Sequence, residues 1–130
     1  MKVLWLSHLI PYPPKGGVLQ RSYYLIKEVA KYHDVDLLAF NQPDLLRGFF
    51  ETQEQGKNEA VRVLSKFCNS VKFFDITSEK YKYGKYFLAL KSIFTTDPYN
   101  INWLKSNDFT IYLKKILNDK YPSTILDVHY

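Results

Sequence analysis

Two apolar segments, residues 2–7 (KVLWLS) and 34–40 (DVDLLAF), flank a stretch of helical periodicity, and this alternation constrains the fold more than any other feature of the chain. A strand that is apolar along its whole length belongs to a parallel sheet covered on both faces, and parallel neighbours need a crossover of a dozen or more residues, usually a helix. Residues 18–32 supply that crossover, with Val18, Ser22, Leu25 or Ile26, and Val29 at helical spacing. The pattern then repeats. Asn41–Asp44 reads as a turn, with Asp44 a suitable cap for a helix opening at LLRGFF that Gly48 and Gly56 weaken; a firmer helix covers Ala60–Phe67. Ser70–Ile76 is the third expected strand, residues 79–94 and 107–119 are expected helices, and Ser123–Tyr130 is the fourth strand. The fold class that follows is α/β, a Rossmann-like doubly wound parallel sheet of about four strands with flanking helices and right-handed crossovers. At 130 residues and 46% apolar content, the expectation is one domain over 1–130 with no room for a second.

The remaining composition narrows the function classes. Cys68 is the only cysteine, so there is no disulfide framework, and no cysteine or histidine cluster has metal-site spacing. Its place in an apolar run marks a buried, inert thiol. Lys2 followed by VLWLSHLI is too short and too interrupted for a signal peptide, and no apolar run reaches membrane-spanning length, so a cytoplasmic domain is expected. Residues 1–56 carry six basic and six acidic side chains and residues 57–130 carry twelve and seven, which puts the whole +5 excess in the second part. Its densest stretch, Lys80–Lys91, alternates lysine with tyrosine. Lys80, Lys82 and Lys85 there suit peripheral contact with an anionic membrane or a lipid-linked acceptor, although at this modest density a solvated rim with its aromatics turned inward is the preferred reading. Nucleic-acid binding is not expected, for want of an arginine-rich stripe or a binding module. Asp34 and Asp36 read as structural, Asp34 beginning the strand and Asp36 facing its solvated end, and His33-Asp34 reads as a turn rather than a catalytic dyad, since adjacent strand residues point to opposite faces.

The segment His8-Leu-Ile-Pro-Tyr-Pro-Pro-Lys-Gly-Gly17 carries the chemistry. A loop between strand and helix in an α/β unit takes about 2–6 residues, so a longer loop with three prolines and a terminal Gly-Gly has the character of a binding loop. Gly16 and Gly17 permit close approach of a ligand, and the free N–H groups of Val18, Leu19 and Gln20 would point at it. Phosphate or carboxylate fits. Arg21, placed in the first turn of the helix, is disfavoured there by the helix dipole unless an anion offsets it, and Lys15 adds a second cation. His8, at the carboxyl end of the strand, would face the crevice where open α/β sheets bind ligands. A plainer reading stands beside this one: Gly-Gly relieves crowding, Arg21 pairs with Glu28 or Asp34, His8 caps the strand, and Tyr12 and Tyr23 pack rather than stack on a sugar.

Strand, PYPPKGG, an arginine four residues on, a helix with LIKEVA and then HDVDLLAF resembles the start of the amino-terminal domain of family 4 glycosyltransferases of the GT-B fold. The resemblance is most specific over residues 1–40 and continues as a layout to Tyr130. It implies a metal-independent hexosyltransferase that needs no cofactor and moves a sugar from a nucleotide-diphosphate donor to a hydroxyl acceptor. By resemblance, Gly16, Gly17 and Arg21 lie near donor phosphate or acceptor, and His129 in ILDVHY, or His8, orients the reacting sugar. Ser123–Tyr130 stops inside a strand pattern, so the chain is expected to be the incomplete amino-terminal half of a GT-B fold. A carboxyl-terminal GT-B domain, expected as its partner, would hold most of the donor, and the piece alone would be inactive. The alternative is a non-catalytic Rossmann-like module that binds a phosphorylated ligand or a partner protein.

Overall fold

The computed structural model describes residues 1–42, 48–76 and 106–121. These fall into two compact units, one up to Phe73 and one from Phe74. The expected fourth strand over Ser123–Tyr130, the helix over 79–94 and the Asp44 cap lie outside the described residues.

The first unit is built on β1 (Lys2–Ser7), α1 (Gly17–Val29), β2 (Asp34–Asn41), α2 (Gln53–Leu64) and β3 (Ser70–Asp75), whose end enters the second unit. The three strands form one parallel sheet in the order β1-β2-β3. This α/β arrangement is compatible with the first strands of a Rossmann-like sheet. β1 and β2 run in a register that sets Lys2 opposite Asp34 and Ser7 opposite Ala39, so both strands end at the same edge.

β2 is central and buried from Val35 to Asn41. One of its faces, Val35, Leu37 and Ala39, packs with Ile10, Ile26 of α1, and Ala60, Leu64 and Cys68 of the α2 region to make the core. Each fully buried leucine or isoleucine there contributes about 1.5–3 kcal/mol. Leu38 and Phe40, on the opposite face, are buried as well. α1 turns Leu19 and Ile26 inward, with Tyr23, Val29 and Ala30 packed against the core, and leaves Val18 and Leu25 exposed. The sequence held two apolar stripes one residue apart in phase; the one that buries Ile26 completely prevails over the one through Val18 and Leu25.

α2 begins earlier than the firm helix expected at Ala60. Thr52 caps it, its Oγ1 accepting the Gln55 N–H at 3.2 Å. Gly48 and Phe49 form a turn and Phe50 is irregular, so no helix from LLRGFF continues through them. Gly56 does not break α2: it is buried with Ala60 and Leu64 on one face, where small residues allow close packing. The chain then enters β3 through the Asn69 N–H, which donates to Val35 O at 2.8 Å.

In the second unit, α3 (Asn107–Lys120) is capped by Ser106. Phe74 meets Phe109 edge-on at 5.2 Å and Tyr112 at 5.6 Å, with Ile76, Ile116 and Tyr121 buried. The expected helix over 107–119 is therefore present, one residue longer.

Candidate functional site

The loop from His8 to Gly16 leaves the carboxyl edge of the sheet and is held down along its first half. Ser7, buried at the end of β1, donates its hydroxyl to Leu9 O at 2.6 Å, and Leu9, Ile10, Pro11 and Pro13 are buried in turn. The Tyr12–Pro13 peptide is cis. After Pro13 the chain rises to the surface: Lys15, Gly16 and Gly17 are exposed, and the Lys15 N–H closes a tight turn onto Pro13 O at 2.7 Å.

Gly16 is the residue before α1, with φ of 81° and ψ of 157°, a conformation essentially reserved for glycine. Gly17 has an ordinary φ and open space where a Cβ would stand, so nothing in the fold requires glycine there. The helix start is bare. No side chain caps α1 and its first turn holds no acidic residue, whereas Thr52 and Ser106 cap the other two described helices. The N–H groups of Gly17, Val18 and Leu19 make no hydrogen bond among the described residues, while that of Gln20, expected to be free, donates to Gly16 O at 3.0 Å. Three donors without a partner among the described residues thus lie together at the positive end of the helix dipole.

α1 starts at Gly17, one residue before the expected position, so Arg21 opens the second turn instead of closing the first. The dipole acts mainly within the first turn, which removes the penalty once assigned to Arg21. Its side chain is exposed and makes no ion pair among the described residues; Glu28, its supposed partner, pairs with Lys31 at 2.6 Å. Lys15 places its ammonium over the Phe49 ring, 5.0 Å from the centroid.

The structure thus sets Lys15, Gly16 and Gly17 side by side at the helix start, with Arg21 one turn further along. His8, exposed at the other end of the loop, has no side-chain partner among the described residues, although its carbonyl accepts a hydrogen bond from Gln42 Nε2 at 2.7 Å. His129, Lys80, Lys82 and Lys85 lie outside the described residues. Tyr12 and Tyr23 pack with the core: their rings are 6.3 Å apart, Tyr12 stacks on Phe50 at 6.4 Å, and Tyr23 meets Phe67 edge-on at 5.6 Å.

Asp36 and Cys68 are structural. Asp36 is 2% exposed, and its Oδ1 accepts hydrogen bonds from Asn69 Nδ2 and Ser70 Oγ. Burial, with a smaller contribution from the Asp36 charge, pushes the Cys68 thiol up to about 12, so it is no nucleophile. No group of His, Cys, Asp and Glu among the described residues could hold a metal ion, and none of the described helices is long and apolar enough to cross a membrane.

Sequence reasoning missed the residues that grip the loop from the next connection, namely Gln42, Phe49 and Phe50. The Phe49-Phe50 pair beside Gly48 was the available signal, but it was assigned to a helix. In comparison with known proteins, the chain matches no family model, no curated protein and no solved structure.

Proposed function

We propose that the loop from Lys15 to Gly17 and the start of α1 bind the diphosphate of a nucleotide sugar, and that the chain serves as the acceptor-side, amino-terminal domain of a GT-B glycosyltransferase. The observation that carries the binding half is the bare helix start: three N–H donors without a partner among the described residues, beginning at an exposed Gly17 where a side chain would meet no atom within 4 Å. Such an end of a helix attracts phosphate through its dipole and its unpaired amides. Lys15 and Arg21 supply two cations within a turn of it. The sugar-transfer half rests on the likeness of residues 1–40 to family 4 glycosyltransferases, with His8 or His129 orienting the sugar, Lys80, Lys82 and Lys85 offered to a membrane or lipid-linked acceptor, and a fourth strand completing the Rossmann-like sheet.

Titration of the isotope-labelled chain with a nucleotide-diphosphate sugar tests this by NMR. The amide signals of Gly17, Val18 and Leu19 should move and saturate, and Arg21→Ala should weaken the binding several-fold without altering the fold. Amides that stay in place at millimolar ligand overturn the reading.

The alternative of a non-catalytic module draws on the same bare helix start, since anion binding there needs no catalytic side chain. Diphosphate binding with no sugar transfer by the full-length native protein would select that alternative.

A further inference from the structure

Three contacts tie the loop after β1 to the connection after β2. Gln42 Nε2 holds the His8 carbonyl at 2.7 Å, Phe50 stacks on Tyr12 at 6.4 Å, and the Phe49 ring lies under the Lys15 ammonium at 5.0 Å. The first two contacts fix the loop's start and middle. The third acts on its tip, on Lys15 beside the bare helix start.

From this we infer that Phe49 is a positioning residue: its ring holds Lys15 in place for an incoming diphosphate. The inference rests on the proposed anion site. A free lysine side chain gives up substantial rotamer freedom when it binds, and prior ordering lowers that cost. A ring covers only one side of an ammonium, which has three donors, so the remaining N–H bonds stay available to phosphate oxygens. Phe49 is itself 41% exposed and contributes little to the core, so its aromatic character can be removed without unfolding the chain.

Inorganic pyrophosphate is the probe, titrated against the whole chain. Phe49→Leu, which keeps bulk but removes the π face, should weaken binding about two- to five-fold, the equivalent of an exposed cation–π contact. Phe49→Tyr should restore it. In a Lys15→Ala background, Phe49→Leu should have no further effect. The contact has its own signature without ligand: ring current should shift the Lys15 ε-methylene protons upfield in the parent and not in Phe49→Leu.

Equal affinity of parent and Phe49→Leu overturns the inference, as does a loss that persists in full when Lys15 is already alanine. If Lys15→Ala binds pyrophosphate as the parent does, or the parent does not bind at all, the anion-site reading fails and takes this inference with it. A loss in Lys15→Ala with none in Phe49→Leu leaves the site standing and removes Phe49 from it.

Discussion

The Ser70 hydroxyl donates to Asp36 Oδ1 at 2.5 Å, a side-chain bond from the first residue of β3 to the interior of β2. Asn69 Nδ2 donates to the same oxygen at 2.9 Å. Replacing Asp36 with alanine strands both donors in a partly buried setting, and bonds to a charged acceptor are worth about 1.5–3 kcal/mol each before non-additivity. Asp36→Ala should therefore lower stability by about 2–4 kcal/mol in urea denaturation, and Asp36→Asn, which keeps an acceptor oxygen, by clearly less. A loss below about 1 kcal/mol for the alanine variant would show that the pair is dispensable.

The two glycines at the start of α1 should respond in opposite directions. Gly16→Ala forces a side chain into φ of 81° and should cost about 1–3 kcal/mol. Gly17→Ala meets no atom within 4 Å at an ordinary φ, so it should stabilise by about 0.4–1 kcal/mol. The same Gly17→Ala variant should bind pyrophosphate more weakly, because its methyl occupies the ligand's approach. Thermal melts with and without pyrophosphate measure both effects at once.

The buried thiol should make stability fall at high pH. Its ordinary value is 9.0 and the folded value is about 12, so from about pH 9 upward the unfolded chain releases a proton that the folded chain retains. Thiolate formation therefore favours unfolding across that window and has no effect below it. Cys68→Ser should flatten the decline between pH 9 and 11 in denaturation curves. In native protein at pH 8, a thiol reagent should modify Cys68 only at the rate of opening.

Ser7→Ala should loosen the candidate site from below. The Ser7 hydroxyl ties Leu9 O at 2.6 Å in a buried position, and its loss leaves that carbonyl unpaired at a cost of about 1–3 kcal/mol. Amide exchange at Leu9 and Ile10 should quicken more than exchange in β2. Uniform quickening across the sheet would instead indicate a global loss of stability.

The alternation of strand and helix was legible because burial on both faces leaves an unbroken apolar run such as LLAF in β2, and a run of that kind has few other uses. Local periodicity carried less certainty about phase. Val18 and Leu25 are as apolar as Leu19 and Ile26, and only packing against Val35 and Leu37 decides between them. The start of α2 was hidden for a different reason: glycines at 48 and 56 looked like breakers, yet Thr52 caps between them and Gly56 sits where the helix is buried. At the candidate site, the glycines, Lys15 and Arg21 could be picked out from chain order alone, since they are neighbours in sequence. The grip of Gln42, Phe49 and Phe50 could not, because it joins residues 34 or more positions apart, as Gln42 is from His8, that parallel strand pairing brings together.

Parallel pairing also governs how the first unit must fold. β2 lies between β1 and β3, and Asp36 of β2 meets Ser70 of β3 from 34 positions away in the chain. Among the described strands no hairpin can nucleate the pairing, since each pair waits for the closure of a long intervening segment before its contacts repay the lost chain entropy. Until then the apolar run from Leu37 to Phe40 of β2 stays open to other chains, which exposes that stage of folding to intermolecular association.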